Sequence, residues 1–295
     1  MVDTPTVGFV GVGMMGWGMA KNATEKGFST LVVAHRKREA VDDLVSRGAT
    51  DVDSVQQMAK TADIIVLCVT GSPQVEENID LILQAMRPGL IVIDTSTAEP
   101  ESTRKLAKKL AEKGGTLVDA PLSRTPSHAW DGELTTFVSG SDAQLDTLRP
   151  LLSTWAAVII PVGGEVGTAH AIKLVNNLVA IGYAALWSEC YGTLKKLDIA
   201  PDVLRELVRN SGMICGNFEN FSKYVCDGDP NAHKFSLGNC QKDIGYYTRM
   251  AEGLSADRTV SGGVADLLNA SVDMGMADKF LPELVDSVLK INGDK

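Results

Sequence analysis

Short apolar runs punctuate the first half of the chain, at residues 6–10, 30–34, 62–69 and 89–94, with 117–118 opening another. They have strand length and show little of the apolar-polar alternation of a sheet wetted on one face. They therefore predict strands of a parallel sheet covered on both sides, with helices between them. Residues 99–113 form one such helix, acidic in its first turn and basic along its body. Residues 127–140 predict a turn leading into a strand, and 143–160 a last helix-strand unit. From Gly163 the pattern changes to helical periodicity: a long segment over about 165–194, then 201–209, 218–224, 242–251, 260–274 and 282–289. The expectation is an α/β fold with two domains, residues 1–162 carrying the sheet and residues 163–295 all helical. The long helix links them, and the cleft between them is the default ligand site.

A length of 295 residues accommodates two domains, and 44% hydrophobic with 22% charged residues is ordinary for a water-exposed globular chain. Net charge of −9 argues against a nucleic-acid partner, and the one dense basic run, Arg36-Lys37-Arg38, is too short to change that. No unbroken apolar stretch reaches the roughly 18–20 residues of a membrane span, and residues 1–5 carry no signal-peptide pattern, so a cytoplasmic location is expected. Five cysteines without CxxC spacing and four scattered histidines suggest neither a disulfide framework nor a metal site.

Candidate chemistry begins at the first strand, which runs straight into Gly11-Val12-Gly13-Met14-Met15-Gly16 and then a helix-compatible segment. Between a strand and a helix this GxGxxG is a dinucleotide fingerprint. Gly11 permits the turn, Gly13 lets the backbone approach a pyrophosphate, and Gly16 lets helix and strand pack. The sheet is therefore expected to be Rossmann-like and doubly wound. Where an NAD-specific fold usually places an acid, after the second strand, stand His35, Arg36 and Lys37. Their donors and positive charge favour NADP over NAD, although a solvated basic helix start reads the same way. Val69 and Thr70 precede a chain break expected beside the adenosine half of the cofactor, and Thr97 follows the strand at 89–94, where doubly wound sheets bind ligands.

Two further constellations carry polar groups in unusual settings. Ser123, Arg124 and Thr125 lie in a loop held between prolines at the end of a strand, where an arginine can clamp a carboxylate, sulfonate or phosphate. A surface arginine is the plainer alternative. Lys173 and Asn177, four residues apart on the long apolar helix, share a face, with Asn176 one step round. Here too a lysine head in water is the alternative.

Taken in order, residues 9–16, Asp94-Thr95-Ser96-Thr97, Asp119-Ala120-Pro121-Leu122-Ser123, Lys173-Leu174-Val175-Asn176-Asn177 and Lys242-Asp243 resemble the β-hydroxyacid dehydrogenases, over nearly the whole chain. The resemblance implies hydride transfer between NAD(P) and a small anionic 3-hydroxyacid or its semialdehyde. It places the general acid/base on Lys173, substrate contacts on Asn176 and Asn177, and cofactor contacts on Thr97 and Lys242. The abundant glycine and the apolar helix of the second half suit a homodimer or homotetramer. One departure is informative: most members follow the Asp-Ala-Pro-x-Ser motif with two glycines, and this chain has Arg124 and Thr125, similar to the loop of sulfolactaldehyde reductase. The competing expectations are a non-catalytic NADP-binding sensor and an imine reductase of related fold, though the latter usually lacks this lysine.

Overall fold

The computed structural model describes residues 4–291 and 293. The chain forms two compact units, one running to Lys173 and the other starting at Leu174.

The first unit is built on six parallel strands: β1 (Thr6–Val10), β2 (Ser29–Val32), β3 (Thr50–Asp51), β4 (Ile64–Leu67), β5 (Ile91–Asp94) and β6 (Thr116–Asp119). Their order across the sheet is β3-β2-β1-β4-β5-β6. Starting from β1 the chain winds outward one way through β2 and β3, then crosses to the other side of β1 for β4. The carboxyl ends of β1 and β4 are therefore the switch point at which such sheets bind ligands. Helices α1 (Gly16–Glu25), α2 (Glu39–Ser46), α3 (Val55–Thr61), α4 (Ser72–Leu83) and α5 (Pro100–Glu112) connect the strands. All four residues of β4 are buried, because one apolar cluster covers each face of the sheet. Val7, Phe9 and Val66 point into one cluster, and Val10, Ile65 and Leu67 into the other, as the two-residue period of a strand requires.

A smaller sheet completes this unit: β7 (Leu122–Ser123) runs antiparallel to β8 (Leu134–Val138), which is parallel to β9 (Ala156–Pro161). Between them lie α6 (Pro126–Asp131) and α7 (Asp142–Leu152). The turn expected before β8 is thus a short helix, with Pro126 in its first turn and Gly132 in the left-handed conformation ending it. Trp155, fully buried, meets Phe9 edge-on at 6.0 Å and fixes this sheet to the main one.

Helix α8 (Thr168–Lys196) begins in the first unit and continues in the second. The second unit is otherwise α9 (Pro201–Arg209), α10 (Gly216–Asp227), α11 (Leu237–Gly253), α12 (Thr259–Asp273), a 3₁₀ turn (Leu281–Glu283) and α13 (Leu284–Ile291). Its core gathers Phe218, Phe221, Leu237, Ile244 and Leu268, with Trp187 edge-on to Phe218 at 5.2 Å. Each buried phenylalanine stabilises this unit by about 1.5–3 kcal/mol. One expectation is corrected here. Polar residues interrupt the apolar runs of α8, yet averaged over 18 residues its mean hydropathy reaches 1.2, long and apolar enough to cross a membrane. Core helices pass the same test, so this feature alone assigns no location.

Candidate active site

In the first unit the glycine loop joins β1 to α1. Gly11 has φ of +92°, and a Cβ there would lie 2.3 Å from the Cys68 carbonyl oxygen at the end of β4. A Cβ on Gly16 would lie 2.1 Å from the Gly11 carbonyl oxygen, so this glycine serves close packing of the turn on its own helix. Gly13 is different, because a Cβ there would meet nothing within 4 Å. Met15 supplies no side-chain cap to α1, and its first turn holds no acidic residue, so no side chain of that turn offsets the positive end of the helix dipole. Open space over a glycine backbone beside an uncapped helix start fits a dinucleotide pyrophosphate, with Val12 and Met14 in the same turn. Burial pushes the neighbouring Cys68 thiol up to about 11, so near neutrality it is a spectator thiol.

At the end of β2, His35, Arg36 and Lys37 are exposed, whereas Arg38 is held by Asp42 and Asp51. The ends of β4 and β5 are stitched together. Thr95 Oγ1 donates to the Leu67 carbonyl at 2.7 Å, the Val69 amide donates to Ser96 Oγ at 3.0 Å, and the Ser96 amide donates to Asp94 Oδ1 at 2.9 Å. Thr70 is exposed just beyond, and Thr97 is half-buried.

Arg124 stands between β7 and α6 with φ of +86°, a left-handed backbone rarely held by a side chain of this kind. The Thr125 hydroxyl is engaged locally, 2.8 Å from Ser127 Oγ and 2.6 Å from His128 Nδ1. Ser123 is half-buried on β7. The loop is anchored through α6 to α1: Asn22 Nδ2 donates to the carbonyls of Ala129 at 2.9 Å and Trp130 at 3.2 Å, while Lys21 and Arg47 flank the Trp130 ring.

Lys173 is half-buried on α8, one turn beyond His170. That first turn is held from below. Asp119, fully buried at the end of β6, receives the Gly167 amide on Oδ1 and the His170 amide on Oδ2, each at 2.9 Å, and also the Ser139 hydroxyl. His170 Nδ1 lies 2.8 Å from Thr103 Oγ1, and His170 Nε2 lies 3.7 Å from Asp94 Oδ2. Burial raises the Asp94 carboxyl above the usual range, with His170 opposing.

In the second unit a separate polar cluster is buried. Asn177 Nδ2 donates to Asp243 Oδ2 at 2.7 Å, Lys242 Nζ donates to Asp243 Oδ1 at 2.5 Å, and Asn176 Nδ2 donates to Asn177 Oδ1 at 3.3 Å. Lys242 also lies over the Tyr246 ring at 4.8 Å. Asp243, 3% exposed, is the group that unites Asn177 with Lys242, a role that its place in the Lys242-Asp243 motif does not by itself reveal. Among the described residues no group of three or more His, Cys, Asp or Glu is arranged to hold a metal.

Residues 6–164 match the NAD binding domain of 6-phosphogluconate dehydrogenase, and residues 167–285 match the NAD-binding domain of NADP-dependent 3-hydroxyisobutyrate dehydrogenase. The chain belongs to the β-hydroxyacid dehydrogenase family. It is 33% identical to 2-(hydroxymethyl)glutarate dehydrogenase of Eubacterium barkeri, over 81% of this chain and 80% of that one. It is 29% identical to 3-sulfolactaldehyde reductase of Escherichia coli over 84% of each chain. The crystal structure of a 3-hydroxyisobutyrate dehydrogenase from Salmonella typhimurium superposes with a TM-score of 0.85 at 25% identity, over 95% of this chain and 99% of that one. As a β-hydroxyacid dehydrogenase the protein is an NAD(P)-dependent oxidoreductase, and its fold of a Rossmann-like sheet followed by a helical region is the family's.

Proposed function

We propose that this dehydrogenase interconverts a small anionic 3-hydroxyacid and its semialdehyde, with Arg124 holding the acid head and Lys173 as general acid/base. The observation that carries the substrate reading is the backbone of Arg124. A non-glycine residue in the left-handed region costs on the order of 1–2 kcal/mol. The chain bears that cost where the family resemblance expects glycine, which supports a guanidinium retained to bind an anion bidentately. The names of the two relatives, a glutarate and a sulfolactaldehyde, are those of anionic compounds.

The nicotinamide, when bound, supplies or accepts the hydride. In reduction, protonated Lys173 hands its proton to the carbonyl oxygen as that becomes an alkoxide; in oxidation, neutral Lys173 takes the hydroxyl proton. Ser123 and Thr125 back the acid head with hydroxyls, and Asn176 and Asn177 orient the substrate. Asp243 fixes the Asn177 carboxamide, since its carboxylate can only accept and so turns the amide NH₂ toward itself. Gly11, Val12, Gly13, Met14, Met15 and Gly16 form the pyrophosphate loop, with Val69, Thr70, Thr97 and Lys242 as further cofactor contacts. The exposed His35, Arg36 and Lys37 support a preference for NADP, testable from the Michaelis constants of both cofactors.

Cytoplasmic placement is supported by the five free cysteines. A homodimer or homotetramer is supported by Val175, Val179, Tyr183 and Leu186, exposed apolar side chains at helical spacing on α8. Lys173→Ala tests the chemistry: turnover should fall by at least about 10²-fold while cofactor binding persists. Near-normal turnover in that variant, on a panel of carboxylate, sulfonate and phosphonate hydroxyacids, overturns the assignment.

A further inference from the structure

The start of α8 has an unusual cap. A capping box satisfies two amides at a helix start, that of the residue preceding the helix and that of the third helical residue, using one side chain from each. At α8 those residues are Gly167 and His170. Gly167 has no side chain to offer, and with φ of +95° and a Cβ position 2.9 Å from the Pro100 carbonyl oxygen it tolerates none. One carboxylate from a different element receives both amides: Asp119, 48 residues back at the end of β6, binds the Gly167 amide through Oδ1 and the His170 amide through Oδ2. The Ser139 hydroxyl donates to the same Oδ1, so the carboxylate cannot turn without losing a bond. A charged acceptor with donors on both oxygens, fully buried, is among the stronger hydrogen-bonded arrangements available to a protein.

We infer that Asp119 is a positioning residue: its carboxylate sets the height and rotation of the first turn of α8, and thereby of Lys173 one turn later. Asp119 also begins the segment Ala120-Pro121-Leu122-Ser123 that leads to Arg124, so a single residue anchors the base of the anion-binding loop and the helix of the acid/base group. The two groups sit in the same unit and are referenced to the same strand end. A local cap from a serine or aspartate is excluded, because the position before the helix has no room for a side chain. A cap reaching across from the sheet adds what a local one cannot, a fixed distance between helix and strand. This inference rests on the reading of Lys173 as the acid/base.

The test compares Asp119→Asn with Lys173→Ala in the full-length enzyme. Asparagine keeps one acceptor but turns an NH₂ toward a backbone amide, so one of the two caps is lost. A misplacement of the order of 1 Å can cost as much as about 10²-fold in rate, so kcat should fall at least about tenfold in Asp119→Asn. The dissociation constant for NADP should stay within about threefold of wild type, because the glycine loop follows β1, three strands across the sheet from β6, and hydrogen exchange at the Gly167 and His170 amides should quicken at least about tenfold. Asp119→Glu separates capping from positioning: its longer arm can still accept both amides and restore their protection, yet kcat should stay reduced. Should the Asn and Glu variants fail to fold, Ser139→Ala loosens the same carboxylate, and its kcat should drop by about threefold with cofactor affinity unchanged. A kcat within twofold of wild type in Asp119→Asn, or in Ser139→Ala where that is the variant read, overturns the inference, as does a loss of NADP affinity equal to the loss in kcat. If Lys173→Ala turns over normally, the acid/base reading has failed instead, whatever Asp119→Asn does.

Discussion

Two helices of the first unit start at the ends of strands and leave their first turns in opposite states. The start of α1 has no side-chain cap and no acidic residue, and Gly13 beside it faces open space. The start of α8 is closed by a buried carboxylate that takes two of its amides. Both helix ends carry the same partial positive charge. On the proposed reading the charge at α1 is kept for an incoming phosphate, whereas at α8 it is neutralised from within by Asp119. On that reading a bare helix start serves a ligand, and a filled one holds a side chain still.

The sharpest way to break the contrast is within the glycine loop itself. Gly11→Ala should destabilise the fold by more than about 3 kcal/mol, since a Cβ would meet the Cys68 carbonyl at 2.3 Å in a left-handed backbone. Gly13→Val should leave thermal unfolding unchanged, because a Cβ there meets nothing, while cofactor affinity drops by at least about tenfold as the side chain fills the approach to the backbone. Melting curves and a cofactor titration on the two variants decide. A Gly13→Val protein that binds NADP normally would show that the open space is not where the pyrophosphate lies.

Arg124→Gly asks whether a left-handed residue is kept for its side chain. Glycine relieves the backbone at φ of +86° but gives the unfolded chain more freedom, so stability should change by less than about 1 kcal/mol. Loss of a bidentate clamp on an anion should raise KM for the acid substrate by about tenfold or more with kcat less affected. Equal KM values would leave Arg124 an exposed loop arginine with no part in substrate binding.

What the sequence made legible follows from distance along the chain. The strands β1, β4 and β5, the glycine loop and the helical second half are local patterns, read from runs and periods of a few residues. Residues 126–131 are too few to show a helical period, so the sequence predicts a turn where α6 forms, although Pro126 and Gly132 do mark its ends. The strand β3 and β7 have two residues each and owe their existence to their neighbours. Asp119 and Asp243 escaped for another reason. Their partners are 48 and 51 residues away in one case and 66 in the other, and no spacing rule connects an acid to amides or a carboxamide that far off. Each belongs to a motif of the chain, Asp119-Ala120-Pro121-Leu122-Ser123 or Lys242-Asp243, but the motif by itself gives the acid no partner.

The smallest expected effect probes the other carboxylate near the start of α8. Asp119 is saturated with donors, whereas Asp94 receives the Ser96 amide on Oδ1 and leaves Oδ2 without a hydrogen bond, fully buried and facing His170 Nε2, itself unpartnered. The Thr103 hydroxyl donates to the Glu99 carbonyl at 3.0 Å, so it must accept from His170 Nδ1, which therefore carries a proton. Burial raises the Asp94 carboxyl, His170 opposes the rise, and the nearby Asp119 adds to it. A carboxyl raised in the folded state stabilises the fold fully below its unfolded value near 3.9, and that contribution is lost as pH rises through the folded value. Asp94→Asn keeps the acceptor for Ser96, cannot ionise, and can donate to Nε2. Its stability relative to wild type should therefore grow from about pH 4 toward neutrality, to a difference on the order of 1 kcal/mol. Melting temperatures of the two proteins across that range read this directly. A difference that stays flat, or that favours wild type as pH rises, would mean that the Asp94 carboxyl is held as a paired anion in the fold and not raised by burial.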